Sequence, residues 1–358
     1  MPARIDSFLR LVVDQRASDL HLHAGSVPRI RLDGDLLPLP FRALTSEQSK
    51  RFLYEIMTPA QRETFERDFE VDFSYGIEGV GRFRANVFMQ LRGPGAVFRV
   101  IANEIPTATE LGLPRVVRKL AQLQNGLVLV TGPTGSGKTT TLAAIIHEIN
   151  RSSARHIITI EDPIEYLHPS LASLITQREV GQHAESFSSA LRSALREAPD
   201  VLVVGEMRDL ETAMLALSAA ETGVLVFGTL HTGSAAKSID RIIDLAPEES
   251  QAQVRSTLST TLRAVIAQDL VKRASGEGVI PAIEVLLPSF ALSHMIRENK
   301  GHLIDGHIQS SEGEGSDMQS FDGSLARLVR QGLVDIEEAA PMARNPDAVR
   351  RAALLPED

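Results

Sequence analysis

Gly132-Pro133-Thr134-Gly135-Ser136-Gly137-Lys138-Thr139 decides how the rest of this 358-residue chain is read. The octet fits the Walker A pattern Gly-x-x-x-x-Gly-Lys-Thr, with the apolar run Leu127 to Val130 before it and a helical pattern over 137–150 after it. A strand that turns into a helix through glycines aims backbone N–H groups at one point, where the positive end of the helix dipole also lies. Such a place binds phosphate. Lys138 adds a point charge suited to β- and γ-phosphates, and Thr139 a hydroxyl suited to Mg²⁺. The expected nucleotide contacts are Gly132, Pro133, Thr134, Gly135, Ser136, Gly137, Lys138, Thr139 and Thr140, and the expected cofactors are ATP and Mg²⁺.

Toward the C-terminus, apolar runs alternate with helical patterns. His156 to Ile160, Val201 to Val204 and Val224 to Phe227 are further apolar runs. Phe187, Ala190, Leu191, Ala194, Leu195 and Ala198 form one helical stripe, and Leu210 to Ala220 reads as a helix ended by Gly223. Apolar strands separated by helices predict a parallel sheet covered on both faces, an α/β fold. From Pro247 onward the pattern reads as helical, Ser310 to Ser316 as a Gly/Ser/Glu loop, and Asn345 to Asp358 as a polar, frayed tail.

Phosphoryl transfer to water needs a metal shell and a group that orients or deprotonates the water, so acids are expected at the ends of neighbouring strands. Gly205-Glu206 follows the run Val201 to Val204, where ligands bind in open parallel sheets, and makes Glu206 the candidate general base. The competing reading of Glu206 is an ion pair with Arg208. Glu161-Asp162-Pro163-Ile164-Glu165 packs three carboxylates into five residues, and a cation relieves their repulsion. Glu161 and Asp162 are candidate ligands of Mg²⁺ or its waters; Glu165 reads equally as a solvated acid at a helix start. His231, after the run Val224 to Phe227, is placed either to sense a γ-phosphate or to serve structure alone.

Upstream, residues 1–102 read as a small α+β domain. Ile5, Phe8, Leu9, Val12 and Val13 make one helical stripe, and Asp33-Gly34 has hairpin chemistry between apolar runs. A helix is expected from Ser46, as its cap, to Met57, and another after Pro59. Val71, Phe73 and Tyr75 alternate with polar residues, as do Phe83, Ala85 and Val87 with Arg82, Arg84 and Asn86, which predicts two half-buried strands. His21 and His23 share a strand face as a metal pair would, with no third ligand nearby in the sequence. Residues 103–114, with Pro106, Gly112 and Pro114, read as a linker and hinge ahead of a domain at 115–358.

Composition narrows the classes. At 43% hydrophobic and 23% charged the chain is a globular protein, not a disordered one. Lacking cysteine, it has no disulfide, no thiolate metal site and no thiol nucleophile. Its net charge of −9 argues against a generally basic surface, so nucleic acid is not an expected partner. The charged N-terminus and the lack of an 18-residue apolar window predict a cytosolic, soluble chain.

Four boxes in order resemble the secretion ATPase superfamily: the Walker A octet, Ile160-Glu161-Asp162-Pro163-Ile164-Glu165-Tyr166, the stretch from Leu191 to Glu197 leading into Val204-Gly205-Glu206-Met207-Arg208-Asp209, and Gly228-Thr229-Leu230-His231-Thr232. Within it the chain resembles the type IV pilus retraction ATPases, the PilT/PilU group, also through Ala17 to Leu22, Arg82-Phe83-Arg84 and Ser238 to Asp244. The resemblance implies a RecA-like P-loop NTPase domain with a smaller PAS-like α+β N-terminal domain, assembled as a homohexamer that hydrolyses ATP. It implies that Glu206 is catalytic, that Glu161 and Glu165 form an acidic box, that His231 is the histidine-box residue, and that Arg82, Arg84 and Arg99 are candidates to reach the γ-phosphate. It further implies work on the pilus platform protein at the cytoplasmic face of the inner membrane, with a second retraction ATPase as an additional partner.

The chain departs from that group at two places. The motif Ala-Ile-Arg-Asn-Leu-Ile-Arg-Glu stands here as Ala291-Leu292-Ser293-His294-Met295-Ile296-Arg297-Glu298, and Gly-Met-Gln-Thr as Asp317-Met318-Gln319-Ser320. The alternatives are an accessory retractor, a pilus assembly or type II secretion ATPase, a DNA-translocating ring and a non-hydrolysing regulatory ring. The absence of cysteine and a short N-terminus weigh against the assembly and secretion enzymes, the net charge against DNA, and Glu206 against the regulatory ring.

Overall fold

A computed structural model of the chain describes residues 3–32, 34–101, 104–312 and 316–354. It divides into two compact units, Met1–Glu104 with Glu165–Leu167, and Ile105–Ile164 with His168–Asp358.

The first unit contains α1 (Asp6–Asp14), β1 (Asp19–His23), β2 (Arg29–Leu32), β3 (Asp35–Pro38), α2 (Ser46–Ile56), α3 (Pro59–Asp68), β4 (Glu70–Ile77), β5 (Gly81–Gln90) and β6 (Gly93–Ile101). Its sheet is antiparallel, ordered β3-β2-β1-β6-β5-β4. The stripe on α1 buries Ile5, Leu9 and Val12 against Leu20 and Leu22 of β1 and Phe83, Ala85 and Val87 of β5. Alternation along β5 therefore sends Arg82 and Arg84 to the other face. The cap of α2 is Thr45, one residue earlier than expected. Thr45 and Gln48 bond each other's backbone N–H reciprocally, whereas the partner Ser46 would need, Ser49, donates its hydroxyl to Pro94 O at 2.7 Å. Asp33 of the expected hairpin turn lies outside the described residues.

The second unit contains α4 (Arg115–Leu120), β7 (Gly126–Thr131), α5 (Lys138–Ser152), β8 (His156–Glu161), β9 (Leu174–Glu179), α6 (Phe187–Ala194), β10 (Val201–Val204), α7 (Leu210–Glu221), β11 (Leu225–Leu230), α8 (Ala235–Asp244), α9 (Glu248–Thr261), β12 (Leu262–Lys272), β13 (Val279–Leu286), α10 (Phe290–Arg297), α11 (Ile304–Ser311), α12 (Phe321–Arg330), α13 (Ile336–Ala339) and α14 (Pro346–Ala353). The sheet is ordered β13-β12-β7-β11-β10-β8-β9 and is parallel except for the β12–β13 pair. One face is covered by α6 to α11 and the other by α4 and α5, as the uninterrupted apolar strands require. Register aligns the strand ends: Val204 pairs with Ile160 and Gly228, and Leu230 with Thr131.

Three readings of this region are corrected. The helical reading after Pro247 misses the β12–β13 hairpin, which extends the sheet beside β7. Of the expected linker, Asn103 lies outside the described residues, and Ala108 and Leu113 are buried in the second unit's core beside Val116 and Val117. The expected tail forms α14, capped by Asn345, with Val349 buried against Leu325 of α12; residues 355–358 lie outside the described range.

The outer edge of β13 is closed by the chain itself. Ile283 N donates to Ser324 Oγ at 3.0 Å and Ile283 O accepts from Gln319 Nε2 at 2.6 Å. Val285 N and O both bond the Gln319 backbone. Gln319, the third residue of the altered Asp317 to Ser320 stretch, thus stands in for a neighbouring strand.

Candidate active site

Gly132, Gly135 and Gly137 have φ of +147°, +82° and +82°, a region in which side chains are strained. A Cβ on Gly132 would lie 2.2 Å from the Gln268 carbonyl oxygen, so the loop can pass β12 only as glycine. Gly135 faces open space, and no side chain caps the start of α5. The loop thus presents a concave backbone with an uncapped helix terminus, the arrangement that attracts a phosphate. Lys138 is buried and its Nζ donates to the carbonyls of Gly132 and Pro133, both at 2.8 Å. Gln268 Nε2 donates to Ser136 O at 2.6 Å, while Ser136 Oγ and Gln268 Oε1 are buried with no partner among the described residues. Orphaned buried polar atoms beside a phosphate cradle fit a ligand that brings donors and acceptors of its own. Sequence reasoning missed Gln268; an amide directly after the apolar run Val265-Ile266-Ala267 is the signal it left.

Glu206 follows β10, and the main chain on both sides of it is fixed. Gly205 N donates to Ile160 O at 2.8 Å, Thr229 Oγ1 donates to Gly205 O, and Met207 N donates to Thr229 O at 3.1 Å. A Cβ on Gly205 would lie 2.9 Å from Ile160 O, so β8 and β10 approach this closely only at a glycine. The Glu206 carboxylate meets Arg208 through both oxygens, Nε to Oε1 and Nη2 to Oε2 at 2.6 Å each, and His231 Nε2 lies 3.2 Å from Oε1. The bonded Arg208 guanidinium holds the Glu206 carboxyl below the usual carboxylate range, outweighing partial burial, with His231 helping. The ion pair and the strand-end placement anticipated for Glu206 are therefore both present. His231 Nδ1 is 3.5 Å from Thr134 Oγ1, so this imidazole joins the loop to the acid.

In the acidic box, Glu161 Oε1 accepts from Thr159 Oγ1 at 2.6 Å and from Gln177 Nε2 at 3.1 Å. Asp162 is close enough to help keep Arg208 charged, after the larger effect of Glu206. Glu179, buried at the end of β9 and unremarked in the sequence, accepts from Ile164 N at 3.2 Å and so fixes the turn that carries the box. Glu165 groups with the first unit. Asp209 caps α7 by accepting from Thr212 N, which anchors the far side of the Glu206 loop.

Residues 2–308 match the family described as type II/IV secretion system protein. The chain belongs to that family. It is 49% identical, over 96% of its length and 99% of the relative's, to the type IV pilus retraction ATPase PilT of Pseudomonas aeruginosa. With the type IV pilus ATPase PilU of the same organism it shares 40% identity over 96% of this chain and 90% of that protein. Among solved structures it is similar to the pilus retraction motor PilT with bound ADP, at a TM-score of 0.90 and 45% identity, covering 98% of this chain and all of the other.

In this secretion-system protein the loop 132–140, Asp162, Glu161, Glu206 and His231 gather at one end of the parallel sheet. The expected arginines lie on the first unit's sheet, where register sets Arg31, Asp19, Arg99 and Arg84 in one row across β2, β1, β6 and β5. Asp19 is buried and accepts from Arg99 Nε at 2.8 Å. Burial opposes ionisation of Asp19, but hydrogen bonds from Ser18 and Arg99 prevail and hold its carboxyl below the ordinary range. His21 and His23 are neighbours on that face, 6.1 Å between ring centres, each with a buried Nε2 that has no partner among the described residues. No group of three or more metal-ligating side chains occurs among the described residues. No helix among them is long and apolar enough to cross a membrane.

Proposed function

We propose that this chain is the ATP-hydrolysing motor of type IV pilus retraction, working as a homohexamer with Glu206 as general base. The observation that carries the reading is the meeting of Glu206 and His231 at the strand ends beside the phosphate loop. Lys138 exchanges the carbonyls of Gly132 and Pro133 for phosphate oxygens, and the N-terminus of α5 receives the remaining charge. Thr139, through its hydroxyl, and the carboxylates of Glu161 and Asp162 would hold Mg²⁺. This donor set suits a hard ion that shares its shell with phosphate rather than an all-protein cage. When bound, Mg²⁺ would supply neutralisation of the phosphate charge. Glu206 takes the proton of the attacking water, and His231, touching both Thr134 and Glu206, reports whether the terminal phosphate is present.

Arg82, Arg84 and Arg99 stay as candidates for the γ-phosphate; their support is the shared face of β5 and β6, on which guanidiniums can converge on one anion. The partners in this reading are the pilus platform protein and a second retraction ATPase, and the place of work is the cytoplasmic face of the inner membrane.

The test is phosphate release by the purified chain. Glu206→Gln is expected to lower kcat by about 10²-fold or more while nucleotide binding persists; release equal to the unaltered chain overturns the base assignment. Deleting the gene should leave excess, non-retracting pili, whereas loss of pili would assign the motor to assembly.

A further inference from the structure

Four lone-pair directions are available on a carboxylate. On Glu206, the Arg208 fork uses one on each oxygen, and His231 uses a second on Oε1. Among the described residues a single direction remains, on Oε2. The main chain around Glu206 is fixed by Ile160 and Thr229, so the only freedom left to the carboxylate is rotation of its own side chain. The last torsion of glutamate is broad and close to two-fold, and packing alone does not fix it. A planar guanidinium bonded to both oxygens does.

We propose that Arg208 is the positioning residue of this reaction: its two-point grip turns the free lone pair of Glu206 Oε2 toward the attacking water. The inference rests on Glu206 being the general base. Other charged or titratable groups around the pair are His231 after β11, Asp162 after β8, and Glu161, which is held by Thr159 and Gln177. Lys138 is held by its own loop. None of these grips both oxygens, and Arg208 has no substitute within the loop. A lysine at the same place would keep the charge and lose the fork.

The experiment compares the full chain with Arg208→Lys, Arg208→Gln and Glu206→Gln in steady-state ATP hydrolysis across pH, with nucleotide binding measured in parallel. Arg208→Gln is expected to lower kcat about 10- to 100-fold with nucleotide affinity within about twofold. Its acid limb should move up, because the carboxylate has lost its cation. Arg208→Lys should keep the limb near its original place and still lose most of kcat, which separates geometry from charge. Either Arg208 variant turning over at the original rate overturns the proposal, as does a limb that moves equally in both. Retained hydrolysis by Glu206→Gln would instead remove the base itself, a failure readable without the Arg208 variants.

Discussion

Two clusters of charge in this protein are built by opposite means. At the sheet end of the second unit, Lys138 and Glu206 stand on backbone fixed by strand register, positive-φ glycines and main-chain hydrogen bonds. On the first unit's sheet, Arg84 and Arg99 are exposed, and what orders Arg99 is one buried carboxylate, Asp19. Backbone-fixed groups lose little entropy when a ligand arrives; exposed guanidiniums must be ordered by whatever they meet. The first arrangement suits repeated chemistry on one ligand and the second suits contacts that form and break.

Gly132→Ala attacks the backbone-built cluster most directly. Its Cβ would meet the Gln268 carbonyl at 2.2 Å, and φ of +147° is closed to alanine. Nucleotide affinity, followed by titration with a fluorescent analogue, should fall by about 10³-fold; unchanged affinity would break the contrast outright.

Acid should separate the units next. Burial, with His147 adding, depresses His168 to about 4, below the ordinary value of 6.5. Between those pH values the unfolded chain takes up a proton that the folded chain refuses. Stability present above pH 6.5 therefore drains away by up to about 3 kcal/mol at pH 4. Burial displaces the first unit's His21 and His23 downward in the same sense but by less than His168, so that unit gives up less stability over this range; Asp19 is displaced downward from the carboxylate range, and its contribution is lost only as pH falls through its folded value. Hydrogen exchange should show the second unit loosening first, and His168→Gln should abolish that order. First-unit loosening ahead of the second would mean that other groups control the acid response.

The smallest expected effect sharpens the other half of the comparison. Asp19→Asn should destabilise the first unit by about 1–2 kcal/mol, read by denaturant titration, and leave Arg99 without its ionic partner while nucleotide affinity stays unchanged. A large loss of affinity would show that Asp19, by ordering Arg99, also serves the nucleotide.

What could be read from the sequence follows the same division. The octet at 132–139, with the apolar runs around it, announces the parallel sheet, because a strand buried on both faces leaves an unbroken hydrophobic signature. The hairpin of β12 and β13 was hidden by the same physics: Leu262, Val265, Ile266 and Leu270 fall at helical spacing although they lie on a strand. The strand β9 was missed because Leu174-Ile175-Thr176-Gln177-Arg178-Glu179 is polar at a sheet edge. In the site, acids and histidine were legible from their place after strands. The supports were not: Gln268 and Glu179 come close to the loop and the acidic box only after the chain has folded, 132 residues from Ser136 and 15 from Ile164.

The closed rim of β13 bears on how copies of this protein can meet. An open rim invites another chain to lengthen the sheet without limit, the route by which ordered proteins become fibres. Here the Gln319 amide and the Ser324 hydroxyl occupy that rim's bonding groups, so neighbours are denied the backbone there. Association along this side is left to side-chain surfaces, whose shapes can select a finite number of partners.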